Sequence, residues 1–211
     1  MATQAILPQS TGQWMDSADG PRWWFDSGSL ALDFAYTGEL GTAELGADVS
    51  AAPAREGLAT AGDLSAWLVG RFPEVAPSAG SRELEDARAL RGAISRLARA
   101  ASDEASLPAD DIDTVNLFAA TPDIPPALDG GARQAGRSNA RPTQALSTIA
   151  RDAVRLFGPE AGGRIRECFA DDCSYVYLDT SRSGNRRWCS MQRCGNRAKV
   201  RAHRARASLQ L

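Results

Sequence analysis

The sequence predicts an α+β protein in which a mostly helical N-terminal domain precedes a small module of knuckle, β-hairpin and helix. Apolar residues recur at helical spacing in several separate segments of the 211-residue chain. All four cysteines lie near the end of the chain, in two pairs with the same internal spacing. A helical, arginine-rich segment without breakers follows the last of them. The predicted organisation is a flexible arm over 1–22, the helical domain over 23–160 and the small module over 164–211.

The composition is that of an ordinary globular protein, with 43% hydrophobic and 24% charged residues. No apolar run approaches the roughly 18 residues that a membrane span needs. The first twelve residues lack the basic and apolar regions of a secretory signal. We therefore expect a cytoplasmic protein without a membrane partner. In a reducing compartment, four cysteines are more typical of metal ligands than of disulfides.

Charge is distributed unevenly along the chain. Residues 164–206 hold 11 basic and 4 acidic residues, a local charge of +7. The remainder holds 13 basic and 22 acidic residues, a local charge of −9, which gives the overall −2. A basic segment of this kind is typical of a nucleic-acid-binding end.

Apolar residues at helical spacing predict four helices in the N-terminal domain. A Thr60-x-x-Asp63 capping box begins the first, and Pro73 ends it. Pro142 suits the first position of the last one. The predicted helices run from Thr60 through Leu68 and then over 81–102, 110–120 and 142–157, with connecting loops over 38–57 and 121–141.

The aromatic stretch over 23–37 (WWFDSGSLALDFAYT) begins the domain, and its structure stays open. Its apolar positions from 30 to 36 alternate as in a strand but also suit one face of a helix. Whether the domain contains a small sheet depends on this segment. We expect Trp23, Trp24 and Trp67 to belong to the core, and the arginines of the helices to form a solvated face.

The cysteines read C-x4-C-x15-C-x4-C, a pattern of two close pairs separated by enough chain to turn back. Such a pattern suits tetrahedral zinc, and four equivalent thiolates leave no open position, so the expected ion is one structural Zn²⁺. A strand over 174–179, a turn at 183–185, a return strand over 186–189 and a helix over 196–210 would make the module treble-clef-like. Two disulfides or metal-free thiols are the alternatives. The predicted ligands are Cys168, Cys173, Cys189 and Cys194.

The final helix presents a row of arginines. At 100° per residue, its arginines at 193, 197, 201 and 204 fall within about 80° of one another. Ala198, Ala202, Ala205 and Leu209 form a small-residue face suited to packing on the hairpin, and His203 is expected at the surface. Guanidinium groups suit both phosphates and guanine edges. The predicted nucleic-acid contacts are Arg186, Arg187, Arg193, Arg197, Lys199, Arg201 and Arg204.

A longer string of residues resembles a known family. It includes Arg166, the first cysteine pair, LDTS at 178–181, RWCSM at 187–191, and CGNR at 194–197 followed by AKVR. This string resembles the CGNR zinc-finger proteins, bacterial transcriptional regulators. LALDFAYT at 30–37 and LSAWL at 64–68 resemble their ABATE domain, although Ala35-Tyr36 stands where something like Val-Asn is expected. The resemblance implies a stress- or ligand-responsive regulator whose N-terminal domain senses an effector and whose finger binds DNA.

The sequence thus predicts a zinc-dependent DNA-binding transcriptional regulator, and a homodimer is expected because one small finger reads few base pairs. One alternative is a protein-interaction module that docks an acidic partner. Another is RNA binding, with Tyr175, Tyr177 or Trp188 as stacking residues in place of finger core. An enzyme is not expected, because the chain has one histidine, a closed metal site and no phosphate-loop, dinucleotide or nucleophile-elbow motif.

Overall fold

The computed structural model of the chain describes residues 11–17, 20–38, 40, 56–126, 139–161 and 163–208. The start of the predicted arm, the greater part of the two predicted loops and the end of the last predicted helix lie outside these residues. The elements, in chain order, are β1 (Gln13–Ser17), β2 (Gly20–Phe25), α1 (Leu30–Ala35), α2 (Ala61–Arg71), α3 (Ser81–Ser102), α4 (Ala109–Ala119), α5 (Pro142–Phe157), β3 (Ile165–Glu167), β4 (Val176–Leu178) and α6 (Asn196–Ser208). The predicted α+β class is confirmed.

Strands β1 and β2 form an antiparallel hairpin, so the flexible arm predicted over 1–22 is wrong for the residues in these strands. Trp14 lies opposite Trp24, and the two rings meet edge to face at 5.6 Å on the outer side of the hairpin. Because side chains alternate along a strand, Trp23 and Phe25 point inward and are buried. Trp24 is 42% exposed, which corrects its expected place in the core.

The segment over 23–37 is both strand and helix, since β2 ends at Phe25 and α1 begins at Leu30. Asp33 of α1 is buried, and its carboxylate connects α1 to the residues around it. Its carboxylate accepts hydrogen bonds from the Gly12 N–H (2.7 Å) and the Ser27 hydroxyl (2.6 Å), and it pairs with Arg71 at 3.2 Å. Burial raises the pKa of Asp33, although the bond from Ser27 and the charge of Arg71 oppose that effect.

The predicted helices are present as α2 to α5, and the capping box at Thr60 and Asp63 is formed. The long helix α3 contacts α1, α2, α4 and α5 and thereby organises the domain. The sequence predicted that the arginines of this helix lie on a solvated face, but one of them does not. Arg91 is buried, donates to the Thr37 carbonyl at 3.2 Å and forms an ion pair with Glu56. Because a buried guanidinium must be paired, α3 depends on these contacts.

The finger packs on the N-terminal domain through the edge of β4 that faces away from β3. The Tyr36 hydroxyl accepts a hydrogen bond from the Val176 N–H (2.7 Å) and donates one to the Val176 carbonyl (2.8 Å). The Leu178 N–H donates to the Ser27 carbonyl at 2.8 Å. Gly28 has a positive φ, and a Cβ atom there would lie 2.5 Å from the Leu178 carbonyl oxygen. The domain therefore satisfies backbone groups that an edge strand would leave unpaired.

Helix α3 makes a second connection to the finger. Arg99 donates a 2.6 Å hydrogen bond to the Ser174 carbonyl and pairs with Glu167 of β3 at 3.2 Å. The Tyr36 and Tyr175 rings are stacked at 5.2 Å beside these contacts. The buried apolar side chains form one cluster that runs from the helices into the finger. Finger and helical domain share one hydrophobic core.

Replacement of Tyr36 by Phe is expected to destabilise the protein by about 1–3 kcal/mol, because it leaves two buried backbone groups of Val176 unsatisfied. Burial raises the pKa of Tyr36 well above its ordinary value, so its hydroxyl stays protonated and can donate. Chemical unfolding of the zinc-loaded chain measures the change. The matched control is Tyr177→Phe, which removes one hydrogen bond, to the Arg186 carbonyl. A smaller loss for Tyr36→Phe than for the control would contradict this role.

Candidate metal centre and basic helix

The fold brings the four predicted ligand cysteines together. Their Sγ atoms all lie within 4.8 Å of one another, and all four residues are buried. The Cys173 and Cys189 sulfurs are 3.6 Å apart, and those of Cys189 and Cys194 are 3.5 Å apart. A disulfide needs about 2.05 Å. Four sulfurs placed tetrahedrally about 2.3 Å from a zinc ion lie about 3.8 Å from each other, so the cluster fits a tetrahedral metal site.

The contacts around the sulfurs lower the pKa of two of the four thiols, Cys168 and Cys194, whereas contact with Cys168 raises the pKa of Cys173 and Cys189. The Cys189 N–H donates to the Cys168 sulfur at 3.3 Å, and Arg197 donates to the Cys194 sulfur at 3.3 Å. Hydrogen bonds from the other three cysteines and from the Cys189 backbone lower the pKa of the Cys168 thiol. Contact with Cys168 raises the pKa of Cys194, but its bonds with Cys173 and Cys189 bring it down to about 7. Thiolates are the form that binds a metal ion.

Strand β4 pairs with β3, which differs from the predicted hairpin with residues 186–189. Ile165 lies opposite Leu178, so the hairpin encloses the first cysteine pair. Among the described residues the predicted pairing with residues 186–189 is absent, and Asp179 holds this part of the chain instead. Its carboxylate accepts hydrogen bonds from the N–H groups of Ser181 and Arg186, each at 2.9 Å. Burial opposes ionisation of Asp179, but these bonds together lower its pKa. The segment over 186–189 therefore follows β4 without forming a regular strand.

The last ligand lies in a π-helical turn, Met191–Gly195, that leads directly into α6. The Ser190 hydroxyl caps this turn by accepting the Arg193 N–H at 3.5 Å. A Cβ atom on Gly195 would lie 2.7 Å from the Met191 sulfur and 3.3 Å from the Trp188 ring. The glycine of the CGNR string therefore allows close packing beside the metal site.

Arg186 is tied into the protein by its own contacts. Its Nε donates to the Trp188 carbonyl (3.0 Å), and its Nη2 donates to the carbonyls of Asp26 (2.9 Å) and Cys189 (2.5 Å). Its guanidinium also lies over the Tyr177 ring at 4.1 Å. These contacts give Arg186 a structural role that its prediction as a nucleic-acid contact did not include.

Arg193 points toward the helical domain. Its guanidinium lies 5.1 Å from the Trp23 ring and 5.9 Å from the Tyr175 ring. Because the next residue is the predicted ligand Cys194, this contact joins the candidate metal site to the shared core. Arg193 is therefore separated from the exposed arginines with which the helical projection grouped it.

Asp172 is a site residue that sequence reasoning missed. It lies in the first knuckle, residues 168–173, and pairs with Arg197 at 3.2 Å and with Arg201 at 2.9 Å. One carboxylate thus connects the first knuckle through the base of α6 to the second knuckle, residues 189–194. A single acidic residue in a basic segment gives no sequence signal for such a role, since its partners lie 25 and 29 residues further along.

Beyond its first turn, α6 projects from the finger. Every residue from Lys199 to Arg206 is exposed. Ala202 and Ala205 are among them, so the expected packing of the small-residue face on the hairpin is wrong for these two residues. The predicted surface position of His203 agrees with the structure. No described residue buries this part of the helix, and its basic side chains face solvent.

The aromatic residues of the finger divide into two groups. Tyr175 and Tyr177 are buried, so they are finger core and not the stacking residues of the RNA alternative. Trp188 is partly exposed and meets the Phe169 ring edge to face at 5.7 Å. Phe169 is 63% exposed and lies under the guanidinium of Arg187 at 4.1 Å. Sequence reasoning missed Phe169, which carries no signal beyond its position next to a ligand.

Fold and site together define a helical domain with a docked four-cysteine finger. A family model described as "Putative stress-induced transcription regulator" (ABATE) matches residues 28–160, and the CGNR zinc finger model matches residues 164–207. The chain belongs to the ABATE family and carries a CGNR zinc finger, which confirms the resemblance expected from the sequence. No curated protein matches the chain. Among the described residues, no helix is both long and apolar enough to span a membrane.

We expect the purified protein to hold one metal ion per chain. Replacement of Cys189 by Ser should lower that content well below one, because it removes one of four converging ligands. Elemental analysis after dialysis measures it. The control is Ser183→Ala, which changes an exposed residue of the same finger and should retain the metal. Full metal content in the Cys189 variant would contradict the assignment of this ligand.

Proposed function

We propose that the protein is a zinc-dependent DNA-binding transcription regulator whose finger presents α6 to DNA. The observation that carries this proposal is the exposed segment from Lys199 to Arg206, which has four basic residues and no acidic one. A helix with side chains is about 10–12 Å wide, and the major groove is about 12 Å wide. The segment is exposed along its length, so its side chains are accessible to a groove of that width.

The basic residues divide into two roles under this proposal. Lys199, Arg201 and Arg204 face solvent on α6 and would contact phosphates or base edges. Arg187 is exposed just before the second cysteine pair and would support them. By contrast, Arg186, Arg193 and Arg197 would act mainly by holding the finger in shape, since each is partly buried and contacts carbonyl groups, aromatic rings or a cysteine sulfur.

The metal would be structural zinc. Four sulfurs satisfy a tetrahedral ion completely and leave no position for a substrate or a reactive water. A module with two three-residue strands buries little apolar surface by itself, and zinc binding can supply on the order of 10 kcal/mol toward its folding. Zinc would thus hold the base of α6 at the angle from which the helix projects. Catalysis at this site is not part of the proposal.

The helical domain would regulate the finger. The family description points to a response to stress, and the shared core gives a change in the helical domain a direct path to the metal site. A small effector and a homodimer formed by this domain remain part of the proposal. A regulator of this kind acts on the bacterial chromosome and therefore in the cytoplasm.

The double substitution Lys199→Ala and Arg204→Ala is expected to weaken DNA binding about tenfold or more. It should also lower the slope of log affinity against log salt by about one per lost phosphate contact. A mixed-sequence duplex at low salt is a sufficient probe, because non-specific binding depends on the same charges. Fluorescence anisotropy at several salt concentrations gives both quantities.

The control for that experiment is Arg82→Ala, which removes an exposed arginine from the first turn of α3. It should leave affinity and salt slope unchanged, and metal content should stay the same in both variants. If the double variant binds like the unmodified protein, α6 is not the DNA-binding element. In that case, recovery of an acidic protein partner would favour the interaction module.

A further inference from the structure

Phe169 is an exposed aromatic ring at the base of the basic helix. It follows the ligand Cys168 directly, and 63% of its surface is exposed. Arg187 covers part of it at 4.1 Å, and Trp188 meets it edge to face at 5.7 Å. An exposed ring held between a guanidinium and an indole is typical of a stacking platform for a planar ligand.

A cleft of about 190 Å³ lies beside this ring, between the first knuckle and α6. Phe169 and Trp188 contribute to one part of its lining, and Ala198 and Arg201 of α6 contribute to another. Ligand pockets for drug-sized molecules are larger, about 300–1,000 Å³. The small alanine leaves the space open, and the volume suits one planar ring system.

The polar groups of the cleft match the edge of a nucleobase. Asp172 lines it with Arg197 and Arg201, and its carboxylate retains acceptor capacity beyond the bonds to these arginines. The buried Nε of Arg197 has no hydrogen-bond partner among the described residues. Guanine offers two adjacent N–H donors to a carboxylate, and its O6 and N7 atoms accept from a guanidinium.

The charge of the surroundings favours a nucleic acid over a protein side chain as occupant. Three guanidinium groups, those of Arg187, Arg197 and Arg201, surround the platform and the cleft. The carboxylates of Asp171 and Asp172 offset two of them. A positive rim around an aromatic platform is the arrangement that holds a base together with its phosphate.

We propose that this cleft binds one unstacked nucleobase, guanine by preference, with Phe169 stacking on the base and Asp172 and Arg201 contacting its edge. The inference rests on the proposed nucleic-acid function and extends it. The finger then distinguishes DNA that exposes an unpaired guanine from a fully paired duplex. Helix α6 supplies the general affinity, and the cleft supplies the preference.

The test uses the full zinc-loaded chain and fluorescence anisotropy with three DNA probes of one sequence. They are the paired duplex, the same duplex with one unpaired guanine, and the same duplex with an abasic residue at that position. A further duplex with one unpaired thymine at that position tests the preference for guanine, and equally tight binding of thymine would overturn that preference. The unmodified protein should bind the unpaired guanine about tenfold more tightly than the paired or the abasic probe, which is within the usual contribution of one stacked base. RNA versions of the probes determine whether the sugar matters, and a guanine preference in either supports the base site.

The variant Phe169→Ala should lose this tenfold preference and keep its affinity for the paired duplex. Phe169→Tyr should retain the preference, since it restores an aromatic face. Leu117→Ala removes an exposed apolar residue of α4 and serves as the control, with no expected change. Because Phe169 is largely exposed, its replacement should leave zinc content unchanged.

Equal binding of the abasic and guanine probes would overturn the base site while the proposed DNA function stands. An equal loss of affinity for all probes in Phe169→Ala would also overturn it, since the ring would then be a general contact. If the unmodified protein binds none of the DNA or RNA probes at low salt, both the base site and the proposed function are wrong.

Discussion

The convergence of four cysteine sulfurs within 4.8 Å is the constraint on which the finger depends. It joins three pieces of chain that make few regular backbone contacts with one another: the first knuckle, the segment before Cys189 and the turn that begins α6. A metal ion attracts these sulfurs, whereas four uncompensated thiolates would repel one another. The direction in which α6 leaves the protein is therefore set at the metal site.

The helical domain supplies hydrogen-bond partners that the finger lacks, although the two parts match separate family models. Strand β4 has only three residues, and Tyr36 and Ser27 satisfy the backbone groups on its outer edge. Arg193 precedes the predicted ligand Cys194, and its guanidinium lies over the Trp23 ring. A rearrangement of α1 or β2 would alter these contacts. This is a physical path by which a change in the helical domain would reach the cysteine cluster of the finger.

The sequence predicted what depends on local pattern, namely the helices α2 to α5, the capping box and the ligand spacing. It did not predict contacts that join distant residues. Asp172 meets Arg201 from 29 positions away, and β3 is too short to show a pattern of its own. A helical projection grouped Arg193 with Arg201 because it ignores the π-helical turn and the neighbouring domain. The exposure of Phe169 depends on packing that only the fold reveals.

A finger that needs its metal ion to present α6 to DNA should bind DNA only when zinc is present, and a zinc titration measures this dependence. Metal-free, reduced protein is mixed with a labelled DNA duplex at low salt, and anisotropy is followed as zinc is added. We expect DNA binding to appear in proportion to the zinc added and to reach its limit at one ion per chain. Equally tight binding by the metal-free protein would contradict it.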